Sequence, residues 1–144
     1  MGRILAIDYG KKRVGLAVTD QMQIIASPLT TIPTAEIEGF LLDYTKKENV
    51  NELVVGYPVQ MNNKPSESVK YINPFLKKLE KLFPDIPIHL ADERFTSKLA
   101  LRALIEGGVK KKVRRDKSMV DKISASLILS AFLEKRSFIK GKEK

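Results

Sequence analysis

The chain contains no cysteine and no tryptophan. Without cysteine it can form no disulfide, no thiolate zinc site and no cysteine nucleophile, a composition that suits the cytoplasm. Its single histidine, His89, lies within an apolar run and reads as a structural residue of a strand. A Ser/His/Asp arrangement finds no nucleophile elbow to support it, and there is neither a Walker A sequence nor a Rossmann glycine fingerprint. No stretch approaches the roughly 18 apolar residues needed to span a bilayer. The apolar run at the N-terminus is too short for a signal peptide, because Asp8 ends it. No aromatic cluster stands out that would stack single-stranded bases.

What is present is a basic, core-forming chain. Its 144 residues fit one domain, 1–144, with no internal repeat or linker. The 43% hydrophobic content is enough for a folded globule. Lys and Arg number 26 against 17 Asp and Glu, a formal net charge of +9. That excess points to a polyanionic partner rather than to any fold, because it is clustered. Lys110, Lys111, Lys112, Arg114, Arg115 and Lys117 surround a single Asp116, just after the Gly107-Gly108 pair. This predicts a basic loop over about 107–117 that tracks a phosphate backbone without reading sequence. A second basic stretch, about 136–144, reads as a C-terminal tail.

Ile4 to Ile7 and Val14 to Val18 are β-like runs around the polar turn Gly10-Lys11-Lys12-Arg13, which predicts a hairpin. Ile24 to Ile32 offers a third strand, ended by Pro33. A helix is expected from Thr34 to Lys47, with Ile37, Phe40, Leu41 and Tyr44 on one face. Glu52 to Tyr57 reads as a buried strand. Ser66 to Phe83 has helical spacing interrupted by Pro74, which predicts a kink or a late start. Pro87 to Ala91 is a fifth strand. Helices are expected from Thr96 or Ser97 to Glu106 and from Ser118 to about Lys135, the last with a stripe of Val120, Ile123, Leu127 and Ala131. The order predicts an α/β fold. Its mixed five-stranded sheet has the first three strands antiparallel, the later ones parallel to the first, and helices on its faces.

Three carboxylates stand out by position. Asp8 ends the first strand, Glu93 follows the fifth, and parallel strands would bring both to one carboxyl edge, where ligands bind in open α/β sheets. Asp121 lies in the first turn of the last helix, followed at i+3 and i+4 by Ser124 and Ala125, small residues that permit close approach to the sheet. Each acid alone could equally cap a turn or a helix. Together they form an oxygen-rich set suited to Mg²⁺ or Mn²⁺. Asp92, on the opposite strand face from Glu93, is the alternative ligand.

The sequence around these acids resembles a known family. The opening run Ile4 to Asp20, the block Val54 to Pro58, Asp92-Glu93-Arg94-Phe95-Thr96, and Asp121 followed by Lys122 to Ser126 are similar, in order and spacing, to the Holliday junction resolvase-like or pre-16S rRNA nuclease family. The resemblance spans nearly the whole chain. It implies a ribonuclease H-like fold and metal-dependent phosphodiester hydrolysis in maturing the 5′ end of 16S rRNA, with ribosomal particles and branched DNA as further partners. It maps the family's three acids onto Asp8, Glu93 and Asp121. After Pro58 the family often has Asp-Gly where this chain has Asn62-Asn63, so a glycine turn is missing.

On this reading Asp8 bridges two ions while Glu93 and Asp121 each complete one shell. Lys12 or Arg94 neutralises phosphate charge beside the scissile bond. Two rivals stay open. One is a phosphate-binding hairpin of the actin-like kinase type at Asp8 to Gly15, which would need a second domain to enclose a nucleotide. The other is a non-catalytic nucleic-acid-binding protein of transcription or ribosome assembly, which the basic loop would serve equally well.

Overall fold

A computed structural model describes residues 2–57, 69–92 and 117–143, with the side chains of 92, 117–122 and 137–143 outside that description. Strands β1 (Arg3–Tyr9), β2 (Arg13–Thr19) and β3 (Ala26–Pro33) are followed by a 3₁₀ turn (Thr34–Glu36) and α1 (Ile37–Lys47). Then come β4 (Val50–Tyr57), α2 (Val69–Leu82), β5 (Ile88–Asp92) and α3 (Lys117–Glu143). The sheet order is β3-β2-β1-β4-β5. β1 pairs antiparallel with β2, and β2 with β3, whereas β4 runs parallel to β1 and β5 parallel to β4. This is the mixed five-stranded arrangement that the element order predicts.

Strand β1 is central, and Ile4, Leu5, Ala6 and Ile7 are all fully buried. A continuous apolar run of this kind is what a strand covered on both faces requires. Alternation divides its side chains. Leu5 and Ile7 join Leu41 of α1 and Phe75 and Leu79 of α2 in one core. Ile4 and Ala6 join Ala125, Ile128 and Leu129 of α3 in the other. Helices α1 and α2 thus cover one face of the sheet and α3 covers the opposite face.

Local chemistry moves some boundaries. Ile24 and Ile25 do not begin β3. They lie in the β2–β3 turn, 68% and 64% exposed, because the Asp20 carboxylate accepts the backbone N–H groups of Met22, Ile24 and Ile25 at 3.1, 2.9 and 2.7 Å. Those same bonds hold the Asp20 carboxyl below the usual carboxylate range. Pro74 lies inside α2 without ending it.

Helix α3 also differs from expectation. Its sheet-facing stripe among the described side chains is Ala125, Ile128, Leu129 and Phe132, rather than Ile123, Leu127 and Ala131; the side chain of Val120, also expected there, lies outside the description. The small Ala125 allows close packing against the sheet, so it takes the buried position that hydrophobicity alone awards to larger neighbours. The helix continues to Glu143, so residues 136–143 are its last turns instead of a separate tail. Arg136 anchors this extension: its guanidinium lies 4.6 Å above the Phe132 ring and donates to both carboxylate oxygens of Glu52. The expected helix from Thr96 to Glu106 and most of the basic loop over 107–117 lie outside the described residues.

Candidate functional site

Asp8 sits at the carboxyl end of β1, paired across the hairpin with Gly15. It continues the series Ile4, Ala6, Asp8, so it belongs to the α3 side of the sheet. Half-buried there, its carboxylate is a hard oxygen donor of the type that Mg²⁺ or Mn²⁺ selects.

The course of α3 brings its N-terminal end to the same edge. Arg136 meets Glu52, near the amino end of β4, and Glu52 is level with Ile4. Further back along the helix, Phe132 packs against His89, which is level with Val54 and so with Ala6, one step further along the sheet. Ala125, Ile128 and Leu129 share a core with Ile4, Ala6 and Ala17. The helix therefore runs opposite to β1. From Arg136 back to position 121 it spans about 22 Å, against about 13 Å along β1 from the level of Glu52 to Asp8. Position 121 precedes Ala125 by one turn and falls on the same stripe of the helix.

Strand β5 ends at Asp92, beside Tyr57 of β4. His89 and Ala91 pack toward α3, so odd-numbered positions of β5 share the face of Asp8. Glu93, Arg94 and the cations Lys110, Lys111, Lys112, Arg114 and Arg115 lie outside the described residues, as do the side chains of Asp121 and Lys117. Among the described residues no three His, Asp or Glu side chains stand together as a ligand set.

Lys12 is exposed in the turn that follows β1. Thr34 braces this turn, donating its hydroxyl to the Gly10 carbonyl at 2.7 Å and its backbone N–H to the Lys12 carbonyl at 3.0 Å. Gly10 has no room for a side chain, since a Cβ would come within 2.5 Å of the Arg13 carbonyl oxygen. The turn is thus held in one shape, with Lys12 at the carboxyl edge where Asp8 lies.

His89 is structural. Its Nε2 lies 3.0 Å from Glu52 Oε1, and its ring sits against Phe132 with centroids 5.0 Å apart. The bonds from Arg136, and then from His89, hold the Glu52 carboxyl below its ordinary value despite burial. Sequence reading overlooked Glu52, since its partner Arg136 lies 84 positions away. It did not anticipate that Tyr9 stacks on Phe75 at 4.1 Å between centroids and lies 6.1 Å from Tyr71. Burial pushes the Tyr9 phenol up, with Lys78 opposing the shift. The i, i+4 spacing of Tyr71 and Phe75 was the one available signal.

The family model RuvX, described as Holliday junction resolvase, matches residues 2–135. The chain belongs to this family. A curated relative from Phocaeicola vulgatus is 55% identical over 139 residues, covering 96% of this chain and 100% of that protein. One from Bacteroides fragilis is 54% identical over 134 residues, covering 93% and 97%. Both carry the name "Putative pre-16S rRNA nuclease". Thermus thermophilus RuvC, solved in complex with a Holliday junction substrate, superposes with a TM-score of 0.56 at 17% identity, covering 89% of this chain and 92% of that one. A second structure of that RuvC gives 0.54 at 16% identity. The RuvX-family chain thus has the ribonuclease H-like fold of RuvC, and its family is one of nucleases.

Proposed function

We propose that this chain is a divalent-metal-dependent nuclease of the cytoplasm that hydrolyses phosphodiester bonds in structured RNA, maturing the 5′ end of pre-16S rRNA. One observation carries the reading: Asp8 ends the central strand on the α3 side, at the edge to which α3 returns with position 121 on its sheet-facing stripe. The names of the relatives supply the substrate class.

Asp8, Glu93 and Asp121 would hold Mg²⁺ or Mn²⁺. Glu93 is taken rather than Asp92 because the resemblance maps the family's glutamate onto it. Such ions would supply charge neutralisation at the phosphate and a more acidic water as nucleophile. Asp8 supplies negative charge and a fixed position, since both its neighbours in β1 are locked in the sheet. Lys12 meets phosphate oxygens flanking the scissile bond, as does Arg94. The cations at 110, 111, 112, 114, 115 and 117 add sequence-independent affinity.

The test compares wild type with Asp8→Asn on a pre-16S rRNA 5′-leader substrate in Mg²⁺ or Mn²⁺. A four-way DNA junction runs in parallel. The carboxamide keeps the shape and removes the charge, so cleavage should fall to background while the thermal melt stays near wild type. Cleavage by Asp8→Asn at the wild-type rate would overturn the assignment and leave a non-catalytic nucleic-acid-binding protein. Cleavage of the junction but not the leader would replace the RNA substrate with branched DNA.

A further inference from the structure

On the face of the sheet opposite α3, the end of β1, the turn into α1 with its first residues, and the middle of α2 line a cleft of about 310 Å³. That volume is at the low end of small-molecule sites, about 300 to 1,000 Å³, and suits a single ring system better than an extended ligand. Tyr9, in its wall, is the last residue of β1 and directly follows Asp8 in the chain.

Its lining has two parts. Tyr9 stacked on Phe75 forms an aromatic floor, with Ala35 and Ile37 beside it. At the rim, the Glu38 carboxylate and the Lys78 ammonium lie 3.1 Å apart, their side chains 44% and 63% exposed. The rim pair is net neutral, so it offers a phosphate no net attraction. A purely aliphatic group would cover the rim pair without bonding to it, which is unfavourable. A planar heterocycle with donors and acceptors along one edge matches both parts. Guanine matches best, because its N1–H and N2–H donors fit the two carboxylate oxygens while the adjacent ammonium donates to O6.

We infer that this cleft takes one unstacked guanine of the strand whose phosphate lies at Asp8. Resting on the nuclease reading, it gives that site a base preference. The scissile phosphate and the selected base then occupy opposite faces of one strand end. The cleft adds specificity that the basic segment cannot supply, since phosphate contacts carry no sequence.

The experiment is methyl NMR on the full chain labelled at alanine and isoleucine methyls, without divalent cations, titrated with the four ribonucleoside 5′-monophosphates. Guanosine 5′-monophosphate should move the Ala35 and Ile37 methyls by its ring current at lower concentration than the other three, leaving Ala125 and Ile128 on the far face unmoved. Glu38→Gln should weaken that response about fivefold or more, and the unchanged Ile128 signal reports that this variant is folded. Equal response to all four nucleotides, to ribose 5-phosphate, or to none would overturn the inference. The titration needs no metal and is repeated on Asp8→Asn, so the two ideas fail separately. A cleft that is silent in a cleaving enzyme sinks the base site alone. A guanine response in a protein that cleaves nothing sinks the nuclease reading, and with it the base's role in cleavage.

Discussion

Arg136 of α3 donates to both carboxylate oxygens of Glu52 on β4, clamping the far end of the last helix to the amino end of a central-sheet strand. His89 joins the same carboxylate from β5. The contact sets where α3 begins its run across the sheet, and so where its other end arrives.

Glu52→Ala should destabilise the protein by about 1 to 2 kcal/mol, since it removes a charged acceptor and leaves a half-buried guanidinium without its carboxylate. The effect should depend on pH. Glu52 titrates below its ordinary value of 4.5 when folded, so its contribution is complete above that value and disappears as pH falls through the lower, folded one. Urea melts at pH 7 should therefore separate wild type from Glu52→Gln, and the gap should narrow in melts at successively lower pH below 4.5. A gap that persisted undiminished in acid would show that the carboxylate charge is not what the clamp uses.

Ala125→Leu tests the close approach of α3. Ala125 is fully buried against the sheet, and extra methyl groups there should cost about 1 to 3 kcal/mol. Because the added volume lifts the helix near position 121, cleavage by the folded fraction should fall as well. Full activity per folded molecule would mean that the helix's distance from the sheet does not matter to the site.

Gly10→Ala places a Cβ against the Arg13 carbonyl oxygen, a backbone atom that can move only if the hairpin turn does. A loss of about 1 to 3 kcal/mol is expected, read as a fall of several degrees in melting temperature. Weaker nucleic-acid binding should accompany it, because the same turn carries Lys12.

Neutralising Lys110, Lys111, Lys112, Arg114, Arg115 and Lys117 together should flatten the salt dependence of RNA binding. Each phosphate contact contributes about 0.7 to 0.9 to the slope of log K against log salt, so six would remove about 4 to 5. An unchanged slope would show that this segment does not touch the backbone.

The fold was legible because its signals were local and redundant. The run from Ile4 to Ile7 announced a strand covered on both faces, and the alternation of helices and strands after Pro33 announced parallel pairing. What was not legible depends on tertiary distance. Ala125 outranks Ile123 and Leu127 as a contact because a small residue lets two backbones approach, a quantity no hydrophobic periodicity contains. Ile24 and Ile25 read as strand, but the Asp20 carboxylate captured their N–H groups first. Of the candidate site, Asp8 was readable as an acid ending an apolar run. The cleft beside it was not, because Tyr9, Glu38 and Lys78 come from three elements that only the closed fold brings together.

Asp8 and Tyr9 are consecutive residues of β1, and a strand sends consecutive side chains to opposite sides. A single-residue insertion or deletion upstream in β1 would therefore exchange them, turning the carboxylate into the aromatic cleft and the phenol toward α3. Since β1 is paired on both sides, such a slip would also exchange Ile4 through Ile7 between two cores of different shape. The frame of this strand is consequently intolerant of length change even where individual substitutions are accepted. Evolution along this edge can alter what the cleft prefers by changing Glu38 or Lys78, but it cannot separate the cleft from the carboxylate by lengthening the strand.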